Sequence, residues 1–134
     1  MAIIRIKKLL IRTYIGFNKE ELRNKQDVLI NMTIKADVDK AIVSDAVHNS
    51  YNYKTITKKV IALVQEGKFK MLENLTQQIL DLILKNPQVD WARVEVDKPH
   101  ALRFAESVSI ELESFQNEEI ADRQKHEVNL QNKY

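Results

Sequence analysis

The chain has 134 residues and a mass of 15.7 kDa, with 44% apolar and 30% charged residues, which is room for one soluble domain with one core. The absence of cysteine excludes disulfides, thiolate metal sites and a cysteine nucleophile, and two glycines, Gly16 and Gly67, cannot make a three-glycine phosphate loop. His48, His100 and His126 stand too far apart for a short metal-ligand motif, and a formal charge of +2 makes no case for nucleic acid.

After Met1 the sequence passes directly into a strand pattern. Ile4 and Ile6 hold even positions, then Leu9, Ile11 and Ile15 hold odd ones. One bulged residue at Lys7-Lys8 produces such a change of phase. Gly16 opens a polar loop over 18–25. From Gln26 to Val38, Val28, Ile30, Met32, Ile34 and Ala36 alternate with mostly polar neighbours, a half-buried strand that completes a hairpin. Residues 39–50 form a connector with room for one short helix. Ile56, Val60, Leu63 and Val64 make a helical stripe, with Gly67 placed for a left-handed helix end. Leu72, Leu75, Ile79, Leu82 and Ile83 make a second stripe, stopped by Asn86-Pro87. Ala92, Val94 and Val96 begin the return to strand, and Pro99 breaks it. Phe104, Val108, Ile110 and Leu112 alternate again, with Glu106 interrupting.

The order is strand, strand, helix, helix, strand, strand. It predicts an α+β domain over residues 1–115, a four-stranded antiparallel sheet with two helices on one face. Residues 116–134 have Ile120, Val128 and Leu130 as their large aliphatics and read as a polar tail, mobile or docked on a neighbour. Two sheet edges stay open, and pairing them between subunits would close a barrel, so an oligomer is expected. Residues 1–70 hold 14 Lys/Arg against 7 Asp/Glu, and residues 71–134 hold 7 against 12. A basic half can meet an anionic ligand, or it can be solvated surface or one side of a subunit contact. No apolar run approaches the roughly 20 residues that span a bilayer, and the first residues lack a signal-peptide core. Cytoplasmic residence is the expectation.

Three patterns place reactive groups at element ends, where sites are commonly built. Gly16 to Gln26 carries Glu20-Glu21, carboxylates able to accept from a polar substrate or simply to be solvated. Asn52-Tyr53 precedes the first helical stripe, with Asn52 as a cap and Tyr53 as a phenolic acid, a stacking platform or a packing residue. Glu73 falls in a first helical turn, where the helix dipole favours a negative charge in any case. Lys98 ends a strand before Pro99-His100-Ala101-Leu102-Arg103.

Taken in order, these segments resemble the tunnelling-fold (T-fold) pterin enzymes of the dihydroneopterin aldolase family. The likeness spans residue 2 to about 114. It runs through Ala2 to Lys7, Arg12-Thr13-Tyr14-Ile15-Gly16, Glu20-Glu21, Gln26-Asp27, Asn52-Tyr53, Leu72-Glu73, Asp97-Lys98, His100 to Arg103 and Ser107-Val108-Ser109. Asn24 to Asp27 and Asp97 to Ser109 look more like the family's epimerase branch than its aldolase branch. Aldolases typically have a glycine where Lys25 stands, and they lack the His-Ala-Leu-Arg string.

The resemblance implies inversion at C2′ of 7,8-dihydroneopterin triphosphate by retro-aldol cleavage and re-addition, with no cofactor and no metal. The reduced pterin's own imine takes the released electrons, so the protein supplies proton traffic and orientation. It implies Lys98 as general acid/base and Glu21 on the side-chain hydroxyls, with Glu20 as the alternative. Leu72 and Glu73 would hold the pterin, and Tyr53 would reach it from a neighbouring subunit as a further catalytic residue, protonating or shielding the enol-like intermediate. His100 and Arg103 are assigned to the triphosphate, with a subunit-interface role for Arg103 equally open. A tetrameric ring, doubled to an octamer, is the implied assembly. The alternatives are an aldolase that releases glycolaldehyde and a non-catalytic binding module. For the latter, four Phe, four Tyr and one Trp are too scattered to suggest a nucleic-acid platform.

Overall fold

Alternation along the second strand fixes the centre of the sheet. In β2 (Gln26–Ala36), Val28, Ile30, Met32, Ile34 and Ala36 are all buried on one face. The computed structural model describes residues 1–116, and every other element in them is arranged around this strand. β1 (Ala2–Ile15) pairs antiparallel with it from Ala2↔Ala36 to Thr13↔Gln26, and the register shifts between Ile6 and Leu9. Lys7 and Lys8 thus oppose the single residue Asn31, as the change of phase predicted. Lys8 takes φ 54°, and its N–H donates to the Asn31 side chain at 2.9 Å. The bulge keeps Ile4, Ile6, Leu9, Ile11 and Ile15 on the face that carries the core.

β4 (Val89–Pro99) lies antiparallel on the far side of β2, and β5 (Ser107–Phe115) lies antiparallel beside β4. The helices α3 (Tyr53–Glu66) and α4 (Leu72–Leu84) cover the same face. α3 packs on β1 and α4 on β4 and β5. Their stripes bury Ile56, Val60 and Val64 from α3, and Leu75, Ile79, Leu80, Ile83 and Leu84 from α4. Thr13 reaches out of the sheet to donate to the Val64 carbonyl at 2.6 Å, which ties β1 to the end of α3. The opposite face is mixed, with Ile3, Leu10 and Phe115 exposed among charged and polar side chains. Arg93 there meets Glu113 at 3.1 Å and Glu111 at 3.8 Å, both on β5.

Several expectations are corrected. The sheet has five strands in the order β3-β1-β2-β4-β5 and is mixed, not a four-stranded antiparallel sheet. The extra strand, β3 (Lys68–Phe69), sits between the helices and pairs parallel with Tyr14–Ile15. Gly67 is not left-handed. At φ −80° and ψ 158° it is extended, because the chain leaves α3 straight into β3, and a Cβ there would meet the Phe69 ring. The loop over 18–25 contains a one-turn helix, α1 (Lys19–Arg23). The connector holds two short turns, α2 (Asp39–Ser44) and a 3-10 turn at Val47–Asn49. Phe104 is not on the core-facing register of β5. It is 95% exposed in the turn before that strand.

The reading of 116–134 as a tail lies outside the described residues except for Gln116, which belongs to the body. Its side chain donates to the carbonyls of Leu84, Asn86 and Val89 at 2.8 to 3.0 Å, closing the α4–β4 turn.

Ile79 is fully buried where α4 meets the sheet. Ile79→Ala should cost about 2–5 kcal/mol in urea unfolding, while Val43→Ala on exposed α2 should change stability by less than about 0.5 kcal/mol.

Candidate active site

Two neutral devices and one charged pair meet where β1 ends. The Ile15 carbonyl accepts from Lys98 Nζ at 3.4 Å and from Gln26 Nε2 at 3.1 Å. Lys98 also pairs with the Glu21 carboxylate, and the two side chains are 12% and 17% exposed. Lys98 comes to this point because it shares the register of Val94 and Val96, so it projects on the core side of the sheet just where the core ends.

Glu21 is delivered by α1. The Asn18 side chain caps that helix, accepting from Glu21 N at 2.8 Å. In return the Glu21 carboxylate accepts from the N–H groups of Phe17 and Asn18 at 3.3 and 3.4 Å, completing a capping box. Gly16 lies directly beneath the carboxylate at φ 125°, and any Cβ at that position would collide with it. Its N–H donates to Phe69 O at 2.9 Å, so β3 supports the floor of the site. The hydrogen bond from Lys98 is the main reason the Glu21 carboxyl titrates below the ordinary value of 4.5, with the helix-start N–H groups adding to it against the cost of partial burial.

Glu21 and Lys98 line a polar pocket of about 290 Å³ with Asn18, Glu20, Asn24, Gln26, His100 and Ala101. A second hollow, about 340 Å³, lies on the other side of Gly16 against Tyr14, Leu22, Lys68, Phe69 and Lys70. The arrangement offers a carboxylate, an ammonium group and an amide to the hydroxyls of a small polar molecule, with a route for proton exchange between the charged pair.

The residues selected from sequence divide into four groups. Lys98, Glu21 and His100 come together in the polar pocket, and Glu20 lies on its rim. His100 holds φ 62° at the turn out of β4. Leu72 and Glu73 open α4 at the same end of the sheet, three and four residues beyond the Phe69 that hydrogen-bonds Gly16. Arg103 is exposed in the turn over 100–106, its guanidinium 5.5 Å from the Phe104 ring centre, and does not line the pocket.

Tyr53 is elsewhere. It is 54% exposed at the start of α3, beside a hollow that Tyr51 and Asn52 share with Leu82, Lys85 and Asn86 at the end of α4. A helix as long as α4, 13 residues, spans about 20 Å, so one chain by itself does not bring Tyr53 to Lys98. Burial pushes the neighbouring Tyr51 phenol up to about 12.

Sequence reasoning missed Gln26, Asn18 and Asn24. Signals for the first two were present. Gln26 is a polar residue on the core-facing register of β2, and Asn18-x-x-Glu21 is the spacing of a capping box.

The dihydroneopterin aldolase (FolB) family model matches residues 4–113. The chain is 56% identical over 112 residues to a dihydroneopterin triphosphate 2′-epimerase of Pseudomonas aeruginosa, covering 84% of this chain and 91% of that protein. It is 49% identical over 111 residues to the protein of the same name in Escherichia coli K12, covering 83% and 92%. A crystal structure of E. coli dihydroneopterin aldolase in complex with neopterin superposes with a TM-score of 0.80 at 27% identity, covering 85% of this chain and 99% of that one.

The depressed Glu21 pKa carries a pH signature. Its share of stability is fully present above about pH 4.5 and is lost as pH falls through the lower native value. Glu21→Gln lacks that share at every pH. The urea midpoints of wild type and variant should therefore differ most near neutrality and converge in acid. A constant gap would contradict the coupling.

Proposed function

The chain belongs to the dihydroneopterin aldolase family, and on that premise we propose that it inverts C2′ of 7,8-dihydroneopterin triphosphate to give dihydromonapterin triphosphate. The observation that carries this reading is the near-full-length identity to two epimerases, which far exceeds the identity to the aldolase of the same fold. The half-buried Lys98–Glu21 pair supports it, because the reaction needs a proton relay at one hydroxyl and no external electron carrier.

Lys98 and Glu21 take the 2′-hydroxyl proton as the C1′–C2′ bond breaks, and they return it when the bond re-forms. The electron pair passes into the ring of the substrate, so no cofactor is called for. Glu73, with Leu72 beside it, holds the pterin by accepting from its amino group and ring N–H. His100 and Arg103 face the triphosphate, His100 from the pocket wall and Arg103 from the turn that follows it. Tyr53 is supplied by a neighbouring copy. The distance of Tyr53 from Lys98 within one chain supports this, as do open strand edges that subunits can pair into a barrel. A tetrameric ring, doubled to an octamer in the cytoplasm, is the proposed form. Residues 1–115 are taken as the pterin-binding domain.

Purified protein incubated with 7,8-dihydroneopterin triphosphate, followed by oxidation, dephosphorylation and chromatography, should yield monapterin with little 6-hydroxymethylpterin. Dominant 6-hydroxymethylpterin would make it an aldolase instead. In the same assay Arg103→Ala should lower turnover of the triphosphate and spare unphosphorylated dihydroneopterin. Equal losses on both substrates would remove Arg103 from the phosphate site.

A further inference from the structure

The hollow of about 340 Å³ between the start of α3 and the end of α4 has no part in the chemistry at Lys98. Tyr51, Ile56 and Leu82 give it an apolar floor, and Lys59 and Lys85 stand at it as exposed cations. Neither lysine makes an ion pair among the described residues. Gln116 is fastened at the rim of this hollow. Its side chain donates to the carbonyl of Asn86, a lining residue, at 3.0 Å, and its N–H donates to the Asp90 carbonyl at 2.8 Å. Whatever follows Gln116 therefore starts beside the opening.

We propose that the segment after Gln116 occupies this hollow in its own chain, with Ile120 on the apolar floor and Glu118 and Glu119 beside Lys59 and Lys85. Three observations converge on it. The first is attachment, since the four residues from Gln116 to Ile120 can extend about 13 Å, enough to pass from the rim over the opening. The second is composition. Ile120 is the first large aliphatic after Gln116, and Glu118, Glu119 and Asp122 all precede the segment's first cation, Arg123. An acidic stretch carrying one apolar side chain is the complement of an apolar floor flanked by two lysines. The third is that the family match ends at residue 113, so the common fold does not account for this segment.

Tethering selects the chain's own segment over that of another copy. A short flexible link holds its end at an effective concentration in the millimolar range, far above that of a free partner. Burial of Ile120 supplies most of the attraction, because exposed ion pairs contribute little, and the charges set which way the segment lies. The contact has a consequence for α3. Asn52 lines the hollow and caps that helix, its side chain accepting from Thr55 N at 3.0 Å, and Tyr53 is the next residue. An occupied hollow braces the turn that presents Tyr53. The inference stands apart from the epimerase reading and uses none of its residues as evidence.

The chain has no cysteine, so an introduced pair can be followed without background. Full-length protein carrying Thr55→Cys and Ile120→Cys, held in a glutathione redox buffer, should close a disulfide within one chain. It would run as a compact monomer on a non-reducing gel. Thr55→Cys with Lys125→Cys is the comparison, because residue 125 points away from the side of 120 in a helix or a strand. A bare tether would close both loops at similar rates, since closure depends only weakly on loop length. Docking should make the Ile120 pair at least about tenfold faster. Adding Glu118→Lys and Glu119→Lys should remove most of that advantage. Similar rates for the two pairs would overturn the proposal, as would an advantage untouched by the charge reversal. Covalent dimers in place of the closed monomer would also overturn it, by seating the segment on a neighbouring copy. None of these results bears on the epimerase reading.

Discussion

The ion pair between Lys98 and Glu21 is the contact on which the site depends. It joins the end of β4 to a one-turn helix that follows β1, two strands away, and several local choices serve it. Gly16 is glycine because the carboxylate occupies the space a Cβ would need. Asn18 caps α1 and so points Glu21 at Lys98 rather than at solvent. The Ile15 carbonyl receives a second N–H of the ammonium group, and β3 holds Gly16 from below. Two opposite charges with little exposure are costly unless each is hydrogen-bonded, and here each is. The proposed role gives that cost a use, since a proton relay needs a carboxylate and an ammonium group held within proton-transfer range.

Much of this fold is legible in the sequence because it rests on long periodic segments. The β2 alternation, both helical stripes and the Lys7-Lys8 phase slip are repeated signals, each backed by several buried side chains. The failures are short elements. β3 has two residues, too few to show any period, and its parallel pairing with β1 depends on where α3 delivers the chain. Gly67 in turn takes its conformation from that strand and not from the helix it follows. Phe104 has the parity of a core residue, yet the turn after His100 lifts it into solvent.

The site was legible in part, and for a different reason. Lys98 and Glu21 were identifiable as reactive types at element ends, whereas their contact is a tertiary fact spanning 77 residues. Gln26 and Lys98 carry one shared signal that residue type alone does not. Each is a polar side chain on the core-facing register of its strand, at the end where the helices no longer cover the sheet. Tyr53 shows the limit. Its sequence context resembles the family's, but its place at the start of α3, beside the end of α4, is set by how the two helices pack and not by any local pattern.

The central claim is that Lys98 and Glu21 act as one unit on the 2′-hydroxyl proton, and a double-mutant cycle on the rate of monapterin formation tests it most directly. Lys98→Met, Glu21→Gln and the double variant should each lose most of the rate, and the double variant should be about as slow as the slower single one. Losses that multiply would contradict a shared role and leave two residues acting independently.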